Sequence, residues 1–149
     1  MTDDIVNHVV LKPVETLMIR AENVAIVSPN HSLDHALLVL TNSGYSAIPV
    51  LDRDSVVQGT INTNLIMNAI AGLDGYDVDS LHELTVEAVM SREVPTIQVG
   101  QSILKALELT INRPFLCVED ESGRFTGLLT RKSILGLLYR QFREMGLKP

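Results

Sequence analysis

The sequence predicts an α/β (α+β) fold in which two copies of one β-α-β-β-α unit follow a leading N-terminal helix. Two repeated strings and their spacing predict it. Gly44 to Asp52 reads GYSAIPVLD and Gly59 to Ile66 reads GTINTNLI, while Phe115 to Asp120 reads FLCVED and Gly127 to Ile134 reads GLLTRKSI, roughly seventy residues later. A unit that cannot cover its own apolar sheet face buries it against its copy, which leaves pseudo-symmetric clefts between the two. Those clefts are the first place to seek function.

From Asp3 to Leu17, Ile5, Val9, Val14 and Leu17 recur at helical spacing and Pro13 interrupts them, which predicts a leading helix or two short pieces. Val24 to Val27 is a short extended run. Ser32 is placed to cap a helix through Leu33, Ala36, Leu37 and Leu40, with Gly44 as a left-handed stop. Strands at Ala47 to Leu51 and Val56 to Asn62 flank a polar turn at Asp52 to Ser55, and Thr63 to Ala71 is helical. Gly72 to Leu84 is linker, with one short helix around Leu81. Met90 then plays the part of Met18. Thr96 to Val99 is extended, Ser102 to Asn112 helical, Phe115 to Glu119 and Phe125 to Thr130 a hairpin around Ser122 and Gly123, and Lys132 to Met145 the closing helix.

A chain of 149 residues, 46% hydrophobic, supports one core, so 1–149 is read as a single module with motifs at 18–71 and 89–145 and a linker at 72–88. The formal charge of -6 and the lack of a cationic stripe argue against general nucleic-acid affinity. Cys117, the lone cysteine, sits inside FLCVED; it is expected to be buried and inert, which fits a reducing cytoplasm. Asp3 and Asp4 are the wrong flank for a signal peptide, and the apolar runs are too short to span a membrane. A cytoplasmic protein without membrane attachment is expected.

No catalytic machinery is found. His8, His31, His35 and His82 are scattered, and only His31 and His35 share i, i+4 spacing, without a third ligand; they read as solvated helix residues. The acids of the linker read as a solvated face, so no metal site is expected. No nucleophile elbow, Walker loop or carboxylate pair appears, so the chain is not read as an enzyme. The informative residues are GYSAIPV and the strand-to-helix turn GLLTRKS. Ser46 and Ala47 are small enough for a flat ligand to approach the backbone, and Tyr45 offers a ring face. Thr130 stands where the last helix starts, and its hydroxyl, the free amides of the first turn and the Arg131 fork suit a phosphate. Read without a ligand, Tyr45 packs and Thr130 is a helix cap.

These paired units, with a GYSAIPVLD-type strand and a G-x-x-T/S turn, resemble the cystathionine-β-synthase (CBS) domain pair, or Bateman module, from about Met18 to Leu138. The resemblance implies tandem CBS motifs packed sheet to sheet with pseudo-two-fold symmetry and adenosine ligands in the inter-motif clefts. Carried over by position, Asn23, Val24, Ala25, Tyr45, Ser46, Ala47, Ile48 and Pro49 join Thr130, Arg131 and Lys132 in one cleft. The opposite cleft joins Pro95, Thr96, Arg113 and Pro114 to Asn62, Thr63 and Asn64. There Pro114 lacks a backbone donor and Asn62 replaces a hydroxyl, so one good site per chain is expected.

Many nucleotide-sensing members carry an aspartate on this turn that holds both ribose hydroxyls, whereas Leu65 and Ser133 stand here. A 3′,5′-cyclic dinucleotide has no free diol, and a carboxylate beside its phosphate would repel it. The stretch from Met18 to Pro49 also resembles small stand-alone bacterial CBS-pair proteins that bind cyclic di-AMP. That resemblance implies a receptor acting by ligand-gated association, whose ligand-free form engages the stringent-response alarmone synthetase/hydrolase. It also implies a homodimer built through the motif helices, to which a Leu135, Leu137 and Leu138 stripe could contribute; core packing explains that stripe equally well. No bound cofactor is expected besides cyclic di-AMP as ligand. The alternatives are an AMP, ADP or ATP sensor, and a scaffold with degenerate clefts.

Overall fold

The computed structural model describes residues 7–149. They form two compact units, one Ala25–Val94 and the other combining the segment up to Val24 with Pro95–Pro149. Residues 7–10 are helical, and after Pro13 comes a 3-10 turn, Val14–Thr16. Among the described residues, helical structure is thus interrupted at this proline, whose carbonyl accepts Thr16 N–H at 3.1 Å and Thr16 O–H at 2.7 Å. The expected helical positions from Asp3 to Ile5 lie outside the described residues.

The first strand, β1 (Ile19–Arg20), pairs antiparallel with Phe125–Thr130 of the second repeat, Ile19 opposite Leu128 and Arg20 opposite Gly127. A second 3-10 turn, Ala21–Asn23, follows it along the same strand. Gly127 explains the close approach: a Cβ there would meet the Ile19 carbonyl oxygen at 2.5 Å.

In the unit Ala25–Val94, the extended run expected at Val24 to Val27 makes its sheet contact at Val27, parallel to Val50. Helix α1 (Leu33–Ser43) buries Leu33, Ala36 and Leu40 and stops at Gly44, which has φ 74°. The cap expected from Ser32 is not made. The N–H of His35, which a Ser32 cap would accept, goes instead to Asp34 Oδ1 at 2.9 Å, the carboxylate being the stronger acceptor, and the Ser32 hydroxyl donates to the same carboxylate. Strands β2 (Ala47–Leu51) and β3 (Val57–Asn62) form an antiparallel hairpin, and helix α2 (Thr63–Ile70) leaves it directly. The linker contains a further two-stranded hairpin, β4 (Ala71–Gly72) with β5 (Gly75–Tyr76), then short helices α3 (Ser80–Glu83) and α4 (Val86–Val89). Ile48, Val50, Ile61 and Ile66 meet Leu33 and Val86 in this unit's core.

The other unit repeats the plan. Strand β6 (Thr96–Gln98) lies parallel to β7 (Phe115–Glu119), helix α5 (Ile103–Thr110) connects them, and β7 pairs antiparallel with β8 (Phe125–Thr130). The sheet order is β1-β8-β7-β6, and helix α6 (Arg131–Glu144) closes the chain. Ser102 does cap α5, accepting Lys105 N–H at 3.1 Å. Both hairpin turns are built by an aspartate: Asp52 accepts the amides of Asp54 and Val56, and Asp120 those of Ser122 and Arg124. Ser55 takes φ 63° where the second copy has Gly123 at φ 79°. Val14, Ile97, Leu116 and Ile134 belong to this unit's core, with Leu137 and Leu138 packed against it.

Candidate functional site

The adenine-facing residues expected from the sequence divide between the units. Ala25 and Tyr45 are half-buried and pack against the core of the unit Ala25–Val94, and Tyr45 N–H donates to Ser43 Oγ at 3.3 Å. Ser46 is exposed and Ala47 half-buried where β2 begins. Ile48 points into the core, and the Pro49 carbonyl accepts Val27 N–H at 3.2 Å. These two residues hold the strand and present no side chain outward. Ala47 lies opposite Asn62, whose Oδ1 accepts Leu65 N–H at 2.8 Å and caps α2. Asn62 thus does with an amide oxygen what a hydroxyl does in the second copy.

Asn23 and Val24 belong to the unit that contains Thr130, but they lie toward the opposite end of β8. The register puts Arg20 against Gly127, and the chain continues from there away from Thr130. Asn23 is exposed and Val24 buried.

Thr130 faces Phe115 across the hairpin and caps α6, its Oγ1 accepting Ser133 N–H at 3.0 Å while its O–H donates to Ser133 Oγ at 2.8 Å. Arg131 N–H donates to the Pro114 carbonyl at 2.9 Å. Two of the amides that the sequence offers to a phosphate are therefore engaged inside the fold. Arg131 Nη1 donates to the carbonyls of Thr110 at 3.4 Å and Ile111 at 3.3 Å, covering the C-terminal end of α5, where the helix dipole favours a cation. Lys132 is exposed. The structure also sets Arg113 and Pro114, assigned from sequence to the opposite cleft, directly beside Arg131.

Sequence reading missed a groove of about 350 Å³ along α6, lined by Leu17, Lys132, Ser133, Gly136 and Arg140. The i, i+4, i+8 run from Lys132 through Gly136 to Arg140 is the signal that could have found it. The apolar stripe on the same helix also differs from expectation. Leu137 and Leu138 are half-buried and pack against the core, and the outward face carries Leu135, Tyr139 and Phe142.

The histidines behave as small local groups. The rings of His31 and His35 lie 4.1 Å apart, and burial together with His35 lowers the His31 pKa. His82 Nδ1 is 2.9 Å from Asp34, whose carboxyl is held below its ordinary value first by the Ser32 hydroxyl. Among the described residues no group of three or more metal-ligating side chains is found, and no helix is long and apolar enough to cross a membrane. Cys117 is buried as expected, and burial, reinforced by Glu119, pushes its pKa up to about 12.

The CBS domain family profile matches residues 14–72 and 86–140. The chain is 42% identical over 128 residues to the cyclic di-AMP receptor B of Bacillus subtilis, covering 86% of this chain and 87% of that protein. A crystal structure of a CBS domain-containing protein from Bacillus anthracis is similar with a TM-score of 0.84 and 45% identity, over 90% of this chain and 97% of the other. The Listeria monocytogenes CbpB protein, in a crystal structure with c-di-AMP, has a TM-score of 0.80 and 38% identity, over 88% of this chain and 98% of that one.

Proposed function

This chain belongs to the CBS domain family, carrying the domain as a tandem pair, and from that premise we propose that it is a cyclic di-AMP receptor that regulates other proteins by ligand-gated association, without catalysis. The observation that carries the reading is the chemistry of the α6 start. Arg131 and Lys132 open the helix, and its first turn holds no carboxylate: Ser133 occupies the position, its amide and hydroxyl bonded to Thr130. This suits a bridging phosphodiester and gives a ribose diol no chelating partner. The similarity to a protein named for this ligand, and to one crystallised with it, supports the same choice.

In this reading Ser46 and Ala47 expose backbone that reads the adenine edge, Tyr45 supplies a ring face, and Asn23, Val24 and Ala25 complete the base-binding surface. Ile48 and Pro49 frame it. Thr130, Arg131 and Lys132 serve the phosphates. The chain works in the cytoplasm as a homodimer, with Leu135, Tyr139 and Phe142 as the apolar contact, and its ligand-free form engages a stringent-response alarmone synthetase/hydrolase. Guanine in place of adenine would leave polar groups unpaired at roughly 1 to 3 kcal/mol each.

Calorimetry with cyclic di-AMP, AMP, ATP and cyclic di-GMP tests the ligand. Cyclic di-AMP is expected to bind most tightly, and equal or tighter binding of AMP or ATP would replace the reading with a nucleotide-charge sensor. Co-elution of the synthetase/hydrolase with the free chain, lost on adding cyclic di-AMP, tests the gating.

A further inference from the structure

We propose that Arg113 is a phosphate-binding side chain of this receptor, joining Arg131 and Lys132 in a single cationic pole that takes the phosphodiester groups of a cyclic dinucleotide. The inference deepens the ligand reading above and rests on it.

Three observations carry it, all within one unit. First, the hairpin register pairs Phe115 with Thr130, and Arg131 N–H bonds the Pro114 carbonyl at 2.9 Å, so Arg113 lies one residue from the backbone of Arg131. Second, the turn that bears Arg113 is held in place. Arg113 N–H donates to the Thr110 carbonyl at 3.4 Å, and the Arg131 guanidinium bonds the carbonyls of Thr110 and Ile111 in the same turn. Pro114 has a restricted φ and offers no N–H, so the residue before it is confined to extended conformations and wanders little. Third, Arg113 is exposed, and among the described residues its guanidinium makes no hydrogen bond and none of the three cations pairs with a carboxylate.

In a chain of formal charge -6, the backbones of Arg113, Arg131 and Lys132 come together at one end of the β7–β8 hairpin, and among the described residues none of the three pairs with a carboxylate. Placing them together carries a like-charge repulsion that a bound anion relieves. A cyclic dinucleotide brings two phosphodiesters, each with one negative charge, and a third cation lets both be met at once. An Arg fork also suits a phosphate better than a point charge does.

The test is calorimetry with cyclic di-AMP on the parent, Arg113→Gln and Arg113→Lys, at low and high sodium chloride. Arg113→Gln is expected to bind about tenfold more weakly or worse, with a weaker salt dependence, and Arg113→Lys to recover part of the loss. The melting temperature of the free chain should not move, because the side chain holds nothing in the fold. A parent that binds cyclic di-AMP alongside an Arg113→Gln variant with the same affinity and salt dependence overturns the proposal while leaving the ligand reading intact. A parent that binds no cyclic dinucleotide overturns the ligand reading, and inorganic pyrophosphate then decides on the pole: a shift of the Arg113 side-chain N–H resonance supports it, and an unmoved resonance ends it.

Discussion

Thr60 and Ser91 bond each other twice, each N–H to the other's carbonyl at 2.9 Å. The contact ties the segment after α4 to β3, and it has a twin in the other unit, where Ile19 and Arg20 lie along β8. Both contacts pass over a glycine. A Cβ on Gly59 would overlap the Ser91 carbonyl, and one on Gly127 would overlap that of Ile19; neither glycine has a positive φ, so space rather than backbone freedom is what each supplies.

Gly127→Ala is therefore expected to destabilise the chain by about 1 to 3 kcal/mol, the range for forcing a methyl into a filled site. Backbone must move, because the obstacle is a carbonyl oxygen rather than a flexible side chain. Urea unfolding reads the loss. Hydrogen exchange should show early opening at Ile19 and Arg20, and an unchanged midpoint would refute the steric account.

Arg131→Ala should reduce cyclic di-AMP binding by about 1.5 to 3 kcal/mol, through loss of a charge-assisted phosphate contact. It should also lower the stability of the free chain by less than about 1 kcal/mol, since its guanidinium bonds to Thr110 and Ile111 are long, at 3.4 and 3.3 Å, and only the first is part-buried. Arg131→Lys keeps the charge and loses the fork, so it should fall between the two. Parent-like binding and parent-like melting in Arg131→Ala would together remove the residue from the site.

Ala47→Trp places a large ring where β2 begins, on the surface assigned to adenine. One dinucleotide per chain is expected for the parent and strongly diminished binding for the variant. Saturating ligand should raise the parent's apparent stability by about 2.7 kcal/mol at a hundredfold excess over Kd. Two ligands per chain, or full binding by Ala47→Trp, would locate the ligand elsewhere.

Cys117 makes a prediction about alkaline pH. Its folded pKa is pushed up to about 12 from an ordinary value of 9.0, so above pH 9 the unfolded chain releases a proton that the folded chain retains. Stability contributed by this group is complete below pH 9 and falls as pH rises toward 12, by about 1.4 kcal/mol per unit. Urea titrations of the parent against Cys117→Ala should isolate that slope. A thiol reagent at pH 8 should label the unfolded chain and spare the folded one.

Much of this architecture is legible in the sequence because it is local. Gly44 and Gly123 stop a helix and turn a hairpin by conformations that glycine favours, and Thr130 caps the helix that starts beside it. The partner of Ile19 and Arg20 is not legible, since two extended residues carry no mark of which distant strand will accept them. Ser32 misled for a related reason: its position is that of a cap, but Asp34 accepts the His35 N–H that the cap would take. The proposed binding surface is drawn from residue types, small ones at Ser46 and Ala47 and charged ones at Arg131 and Lys132. That Arg113 stands with Arg131 depends on the register of β7 with β8, which spacing within either strand does not reveal.

The two compact units differ in how they arise during synthesis. Ala25–Val94 is continuous and can close its core while the remaining chain is still being made. The other unit joins the segment up to Val24 to Pro95–Pro149, so Val14, translated early, has no partner until Ile97, Gln101 and Ile103 are made, and Ile19 none until Leu128 leaves the ribosome. For that interval the nascent protein carries an unpaired strand and an uncovered apolar residue upstream of a finished half. It is the period in which a chaperone, or a neighbouring nascent chain, would find something to hold.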